Sequence, residues 1–126
     1  MAHDIVADAL NMMRNAKKAN KENIRVKIIS NLLIEVLKIM KQKGAVKKYK
    51  INPKDKSLEV TLGDFTECKA IKPRFSCDKF QIEKYRRRYL PSRNIGTVII
   101  STSKGLMTHE EAENEKMGGS LISYFY

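Results

Sequence analysis

Residues 100–105, ISTSKG, combine three hydroxyl side chains, a lysine and a glycine directly after an apolar run. Ser101 and Lys104 match SxxK, the spacing that places a lysine one helical turn after a serine nucleophile in some acyl-transfer enzymes. The hydroxyls of Ser101, Thr102 and Ser103 can instead donate and accept hydrogen bonds at base edges and 2′-OH groups in the shallow minor groove of an RNA helix. The same stretch is also typical of an ordinary connection between a strand and a helix.

Two of the chemistries that this stretch could support lack companion residues. A serine enzyme is disfavoured because Gly105 would weaken a helix through residues 101–105, and because neither SDN nor KTG occurs in the chain. A phosphate-binding loop is disfavoured because the GxxxxGK[ST] pattern is absent. Two interpretations of residues 100–105 remain, which are a contact with RNA and an ordinary connection between a strand and a helix. In an RNA contact, Lys104 would add a charge for phosphate, and Gly105 would let the backbone turn without a Cβ in the way.

Two further groups of basic residues could contact nucleic acid. YRRRY at residues 85–89 offers guanidiniums that chelate phosphate or stack on bases, and its tyrosines can stack likewise. Its alternative is a solvated basic face with Tyr85 or Tyr89 turned into the core. Near the end of the first predicted helix, phosphate contact is plausible for Arg14 and Asn15, which stand beside several lysines. The candidate arginines of the first group are Arg86, Arg87, Arg88 and, nearby, Arg93.

The cysteines and histidines do not predict a metal site. Cys68 and Cys77 are separated by eight residues, which fits neither CxxC nor a paired zinc pattern. His3 and His109 lie far apart in the sequence, and THEEA lacks the second histidine of HExxH. We therefore expect reduced, semi-buried thiols and no metal or other cofactor.

The charge of the chain is large and uneven. Lysine and arginine total 25 against 14 acidic residues, which gives a net charge of +11 over 126 residues. Residues 69–93 carry nine basic and two acidic residues, whereas residues 108–126 carry four glutamates and one lysine. Such a patch is typical of a nucleic-acid footprint on one face. No apolar stretch approaches the roughly 20 residues that cross a bilayer, so we expect a soluble, cytosolic protein.

Hydrophobic periodicity predicts the elements of the first part of the chain. Apolar spacings of three and four predict a helix over residues 4–18, and alternation over residues 24–28 predicts a half-buried strand. Ser30 is expected to cap a second helix that Gly44 ends. Two strands joined by a turn at residues 52–57 follow. The predicted order is α-β-α-β-β.

The second part is predicted to be richer in strands. Residues 68–75 are expected to be extended, and residues 78–90 to contain a short basic helix that ends before Pro91. Residues 97–101 form an apolar run that favours a strand covered on both faces. The hydroxyl-rich stretch then forms a loop, and Thr108 begins a helix with the capping-box pattern THEE. An aromatic strand, GSLISYFY, follows the glycines at 118 and 119.

Several segments together resemble a known family. They are ISTSKGLMTHEEA (100–112), MGGSLISYFY (117–126), RYLPSRNIG (88–96) and AIKPRF (70–75), with ADALNMMRNA and VLKIMKQKG in the two predicted helices of the first part. Over nearly its full length the chain resembles the family of the eighth small-subunit ribosomal protein. RYLPSR and SYFY resemble its archaeal and eukaryotic branch.

The resemblance implies an α+β fold of two small lobes. An N-terminal α-β-α-β-β lobe would cover residues 1–66, and a C-terminal β-rich lobe with a short helix would cover residues 67–126. It also implies a non-catalytic, cytoplasmic constituent of the small ribosomal subunit, which binds the central domain of the subunit's RNA as a primary binder and assists assembly beside neighbouring ribosomal proteins. It implies no small-molecule substrate and no membrane. A cytosolic enzyme or a basic membrane-surface protein are the alternatives.

The resemblance further implies RNA contacts at particular positions. The hydroxyl-rich stretch would contact the minor groove and backbone of an irregular RNA helix, with the glycines and serine of MGGS close by. Two residues of the first helix would contact a second RNA segment. The predicted contacts are Ser101, Thr102, Ser103, Lys104, Gly105, Gly118, Gly119, Ser120, Arg14 and Asn15, together with the arginines at 86, 87, 88 and 93 that composition indicates.

Overall fold

The computed structural model describes residues 5–27, 30–72, 74–92 and 94–126. The chain divides into two compact units, Met1–Cys68 and Lys69–Tyr126, and both contain helices and sheet. The predicted α+β fold of two lobes is confirmed, while the lobe boundary at residue 66 stays a prediction. The elements are α1 (Ile5–Lys18), β1 (Asn23–Val26), α2 (Asn31–Gln42), β2 (Val46–Asn52), β3 (Ser57–Leu62), β4 (Cys68–Ala70), β5 (Ser76–Cys77), α3 (Ile82–Tyr89), β6 (Thr97–Thr102), β7 (Gly105–Thr108), α4 (His109–Asn114) and β8 (Gly119–Phe125).

The first unit has the predicted α-β-α-β-β order. Its antiparallel sheet has the strand order β1-β3-β2, so the last strand in sequence lies in the middle. On β3, Leu58, Val60 and Leu62 are buried, whereas Glu59 is exposed, as expected for a sheet with one solvated face. The helices contribute one apolar stripe each to the core: Val6, Leu10 and Met13 from α1, and Leu33, Val36, Leu37 and Met40 from α2.

Helix α2 begins and ends where its sequence predicts. The Ser30 hydroxyl accepts a hydrogen bond from the Leu33 amide at 3.1 Å, which satisfies a donor that the first helical turn leaves unpaired. After the helix, Gly44 has φ +85°, a conformation that residues with a Cβ rarely adopt. The two predicted termini are confirmed.

The second unit is built on a sheet with the order β4-β8-β6-β7, and β5 pairs with β8 at one side. Residues 97–100 of β6 are all buried, which confirms that this strand is covered on both faces. The core cluster of the second unit contains residues from its helices and its strands. They include Ile82 of α3, Leu90 directly after α3, Ala112 of α4, and Val98, Ile100, Met107 and Leu121 of the strands.

The hydroxyl-rich stretch is a hairpin, so the prediction of a loop that leads directly to a helix was wrong. Strand β6 continues to Thr102, the chain turns at residues 103 and 104, and β7 pairs back with Thr102 opposite Gly105 and Ile100 opposite Met107. Gly105 has φ +109°, which lets the turn close where a β-carbon would strain the backbone. A four-residue strand is too short for periodicity to detect, and burial of Met107 against the sheet stabilises it.

Two other segments differ from their predictions in detail. The predicted extended segment at 68–75 contains one short strand, β4, and β5 follows at Ser76. Helix α3 begins at Ile82, because residues 78–81 form a hydrogen-bonded turn in which the Gln81 amide donates to the Asp78 carbonyl at 3.0 Å. The predicted start of α4 is confirmed, since the Thr108 hydroxyl accepts from the Glu111 amide at 3.2 Å.

Candidate nucleic-acid interface

The tip of the β6–β7 hairpin, residues 102–105, is held by one hydroxyl. Thr102 Oγ1 donates to the Gly105 carbonyl at 2.9 Å and accepts from the Lys104 amide at 3.2 Å. These bonds use the only proton of the hydroxyl and one of its two lone pairs. Thr102 therefore orders the hairpin tip and has one acceptor position left, whereas Ser103, beside it, is exposed.

Three serines form a row beside the hairpin tip, on neighbouring strands. Ser101 on β6 pairs directly with Ser120 on β8, and Ser120 pairs directly with Ser76 on β5. Directly paired residues of antiparallel strands point to the same face and lie about 5 Å apart. Alternation puts this face opposite to Ile100 and Leu121, which pack in the core cluster. We call Ser76, Ser120 and Ser101 the serine row.

The predicted residues Ser101, Thr102, Ser103, Lys104, Gly105 and Ser120 are thus brought together by the sheet. Ser76 was missed by sequence reasoning. No local signal could have found it, because its place beside Ser120 depends on the register between β5 and β8. The roles of all these residues in RNA contact stay predictions.

Gly118 and Gly119 permit close backbone contact at the same place. A β-carbon at Gly119 would lie 2.0 Å from the Ser101 carbonyl oxygen, and one at Gly118 would lie 2.4 Å from the Cys77 carbonyl oxygen. Both distances are far inside van der Waals contact. The fold itself therefore requires glycine at both positions, because only glycine lets β8 lie so close to β6 and to the end of β5.

Lys104 lies at the hairpin tip with its ammonium 3.4 Å from the Glu115 carboxylate, and both side chains are exposed. An exposed pair of this kind contributes little to stability, so phosphate can replace the carboxylate. The SxxK spacing has no catalytic geometry, because Ser101 lies on a strand and Lys104 in a turn. The helical turn that such a nucleophile and base need is not formed by these residues.

The three described arginines of YRRRY have different surroundings. Arg86 is buried and forms two hydrogen bonds with the Glu83 carboxylate, at 2.8 and 3.0 Å. Arg87 is exposed and lies 3.6 Å from the same carboxylate. Arg88 is exposed, with its guanidinium 5.5 Å from the centre of the Phe75 ring. The side chains of Arg87 and Arg88 are accessible to phosphate, whereas the side chain of Arg86 is buried and bonded to Glu83.

The tyrosines of this helix are half-buried and pack against the core of the second unit. Tyr85 stacks on Phe75, and Tyr89 stacks on Tyr124 with ring centres 5.1 Å apart. They fit the alternative that assigned them to the core rather than to bases. Arg93, the fourth predicted arginine, lies outside the described residues.

On helix α1 the two residues predicted to contact RNA, Arg14 and Asn15, also differ in their exposure. Arg14 is half-buried and forms an ion pair with Glu67. Asn15 is exposed. The neighbouring Lys17 ammonium donates to the Gly63 carbonyl at 2.6 Å and lies over the Phe65 ring. Of these polar side chains, Asn15 is the one that is most accessible to a partner.

His109 is a structural hydrogen-bond acceptor at the open end of the β6–β7 hairpin. It is 3% exposed, and its Nδ1 accepts a hydrogen bond from the Val98 amide at 3.1 Å. Burial lowers the pKa of His109, and the charges of Glu110 and Glu113 only partly oppose that effect. A protonated ring could not accept from Val98, so the folded state requires the neutral ring.

This requirement predicts a loss of stability in acid. The folded-state pKa of His109 lies below its ordinary value of 6.5. The contribution of the neutral ring to the free energy of unfolding is therefore complete above pH 6.5, and it is lost as the pH falls through the folded-state pKa. His109→Asn keeps an acceptor near Nδ1 and does not titrate. Urea unfolding from about pH 7.5 to about pH 5 should show a smaller decline for this variant than for the unmodified chain. Equal declines would mean that another group is responsible.

Both cysteines are reduced and buried. Burial, followed by the charge of Glu67, raises the pKa of Cys68 to about 12, and its thiol donates to the Leu10 carbonyl at 3.4 Å. Burial also raises the pKa of Cys77. Neither thiol forms a reactive thiolate near neutral pH. Within the described ranges, no group of three or more His, Cys, Asp or Glu is placed to hold a metal ion.

The comparisons with known proteins agree on one family. A family model described as ribosomal protein S8 matches residues 4–126. The small ribosomal subunit protein uS8 of Nanoarchaeum equitans is 43% identical over 129 aligned residues, with 100% of both chains covered. That of Archaeoglobus fulgidus is 36% identical, again with 100% of both chains covered. None of the helices in the described part of the chain has the length and apolar character of a membrane span. The chain belongs to the ribosomal protein S8 family, and it is a structural, non-enzymatic constituent of the small ribosomal subunit.

Proposed function

We propose that this chain is a primary binder of the central domain of small-subunit ribosomal RNA and helps to organise that domain during assembly in the cytoplasm. The serine row and the hairpin tip would contact the minor groove of an irregular RNA helix. Arg87, Arg88 and Lys104 would contact phosphates, and Asn15 would contact a second RNA segment. Neighbouring ribosomal proteins would complete its surroundings.

The observation that carries this proposal is the common face of the hydroxyls. The serine row places three short side chains that both donate and accept on one face of the sheet, and the exposed Ser103 lies beside it at the hairpin tip. The minor groove of an RNA helix is wide and shallow and displays 2′-OH groups that also donate and accept. Since these side chains are short, the backbone of the sheet can approach the groove closely. Longer side chains at the same positions would hold it away.

The charge of the chain supports the same partner. A net charge of +11 on 126 residues opposes compaction unless a polyanion offsets it. Arg87 and Arg88 belong to the exposed basic part of the second unit. Their phosphate contacts would supply affinity that depends on salt and not on sequence, while the hydroxyls would supply local shape recognition.

Filter binding with fragments of the small-subunit RNA tests the proposal. The central domain should bind at least about tenfold more tightly than fragments of equal length from the other domains, at one fixed salt concentration. Equal affinity for all fragments would refute a specific central-domain function and leave only nonspecific electrostatic binding.

The arginines of α3 give a prediction about salt. Replacing Arg87 and Arg88 together by alanine should reduce the magnitude of the slope of log K against log salt by about 1.5 to 2, since each lost phosphate contact removes about 0.7 to 0.9. The matched control is Arg87→Lys with Arg88→Lys, which keeps both charges and should keep the slope. The slopes come from binding titrations at several salt concentrations, and an unchanged slope for the alanine variant would locate the phosphate contacts elsewhere.

A further inference from the structure

Phe80 is the most exposed large hydrophobic side chain in the described part of the chain. It is 81% exposed, against 51% for Ile95, 43% for Ile51 and 41% for Met12. The other phenylalanines are buried or half-buried. Leaving an aromatic ring in water forgoes the stabilisation that burial provides. A ring displayed this way is therefore suited to a partner.

The backbone that carries Phe80 is fixed by a reciprocal set of hydrogen bonds. The Asp78 carboxylate accepts from the Phe80 amide at 2.9 Å, and the Asp78 amide donates to the Gln81 side-chain oxygen at 3.2 Å. The Gln81 amide closes the turn on the Asp78 carbonyl. This arrangement leads directly into α3, so the ring stands on an ordered turn. Little ordering entropy would be lost when a partner binds.

The surroundings of the Phe80 ring are charged rather than apolar, and a lysine ammonium lies directly over the ring. The Lys79 ammonium lies 5.1 Å from the centre of the Phe80 ring. Lys79, Lys116, Glu83 and Glu113 line a shallow hollow beside the ring, and the Glu83 carboxylate is already bonded to Arg86. A protein anchor would be expected in apolar surroundings. A ring beside ammonium groups instead fits a nucleotide, whose base offers a flat face and whose phosphate offers the opposite charge.

The turn adjoins the surface already described. Gly118 packs on the backbone of Cys77 and Asp78, and Gly119 packs on the backbone of Ser101. Ser76, the outer member of the serine row, precedes Phe80 by four residues. The ring is thus displayed at the border of the hydroxyl surface and of the exposed basic residues of α3.

We propose that Phe80 stacks on an unpaired base of the small-subunit RNA, next to the segment that the serine row contacts, with Lys79 on the phosphate of that nucleotide. The inference rests on the proposed function and adds a single-stranded contact to it. Because every base has a stacking face, this contact tolerates sequence changes.

A tryptophan reporter tests the stacking directly, because the chain contains no tryptophan. Phe80→Trp should bind the central-domain RNA as tightly as the unmodified chain, and its emission should be quenched by the bound RNA. Phe80→Ala should weaken binding by about tenfold, the range of one stacked base, without changing the salt slope. The control reporter is Ile51→Trp on β2, where we expect little quenching.

The outcomes separate the two proposals. If the unmodified chain shows no preference for central-domain RNA, the proposed function fails and the stacking contact fails with it. If the chain binds that RNA specifically but Phe80→Ala keeps full affinity, or the indole emission is unchanged, the stacking contact alone is refuted. A Phe80→Ala variant that binds RNA normally but no longer enters the subunit would assign the ring to a protein neighbour instead. Since Phe80 is largely exposed, loss of folding does not confuse the result.

Discussion

Gly119→Ala should lower the free energy of unfolding by about 3 kcal/mol, at the upper end of the usual cost of overpacking, and should weaken binding to RNA as well. The added β-carbon would lie 2.0 Å from the Ser101 carbonyl oxygen and 2.8 Å from its carbon. Both are backbone atoms, so no flexible side chain can move aside. Strand β8 must shift away from β6, and the pairing of Ser101 with Ser120 in the serine row would be lost.

The control for this variant is Gly44→Ala in the first unit. A β-carbon at Gly44 meets nothing within 4 Å, although its φ of +85° is unfavourable for alanine. We expect about 1 to 2 kcal/mol of destabilisation from that conformation and unchanged affinity for the central-domain RNA. Urea unfolding and filter binding measure the two effects. A Gly119→Ala protein as stable as the unmodified chain would mean that the strands do not approach as closely as described.

Removal of the Ser103 hydroxyl should weaken binding to the cognate RNA by about 1 to 3 kcal/mol, because a hydrogen-bonding group of the RNA would be left unpaired in the interface. Ser103 is exposed at the hairpin tip, so Ser103→Ala should leave the free energy of unfolding unchanged. The measurement is a filter-binding titration beside a urea titration of the same protein. Unchanged affinity would contradict the assignment of the hairpin tip.

Thr102 should behave differently although it is the adjacent residue. Its hydroxyl bonds to the Gly105 carbonyl and the Lys104 amide, so Thr102→Val should loosen the hairpin tip and reduce both stability and affinity. Thr102→Ser keeps the hydroxyl and is the matched control. If Thr102→Val changed affinity alone, its hydroxyl would be a direct RNA contact and not a support for the turn.

The sequence predicted elements where a local rule was strong. Ser30 and Thr108 cap their helices as expected, because the capping hydroxyl and the amide that donates to it are only three residues apart in the sequence. The buried strand β6 was also evident from its uninterrupted apolar run. The hairpin was not predicted, because β7 is short and is stabilised by pairing with β6, a contact that periodicity does not report.

The candidate site shows the same division between local and long-range information. The hydroxyls of residues 101–103 are visible in the sequence, but their alignment with Ser120 and Ser76 depends on strand register. Arg86 and Arg87 are indistinguishable by composition. Only the fold shows that Arg86 is buried against Glu83 while Arg87 is exposed. Residue type thus indicated an RNA-binding protein, and tertiary structure distinguishes accessible side chains from structural ones.

The most direct test of the central claim is ultraviolet crosslinking of the protein to RNA in cell extract, with sequencing of the RNA and mass spectrometry of the crosslinked peptides. We predict that central-domain sequences of the small-subunit RNA dominate, and that the crosslinked peptides include residues 101–105. Recovery of RNA without enrichment of the central domain, or crosslinks that avoid the hairpin tip and the serine row, would contradict the account.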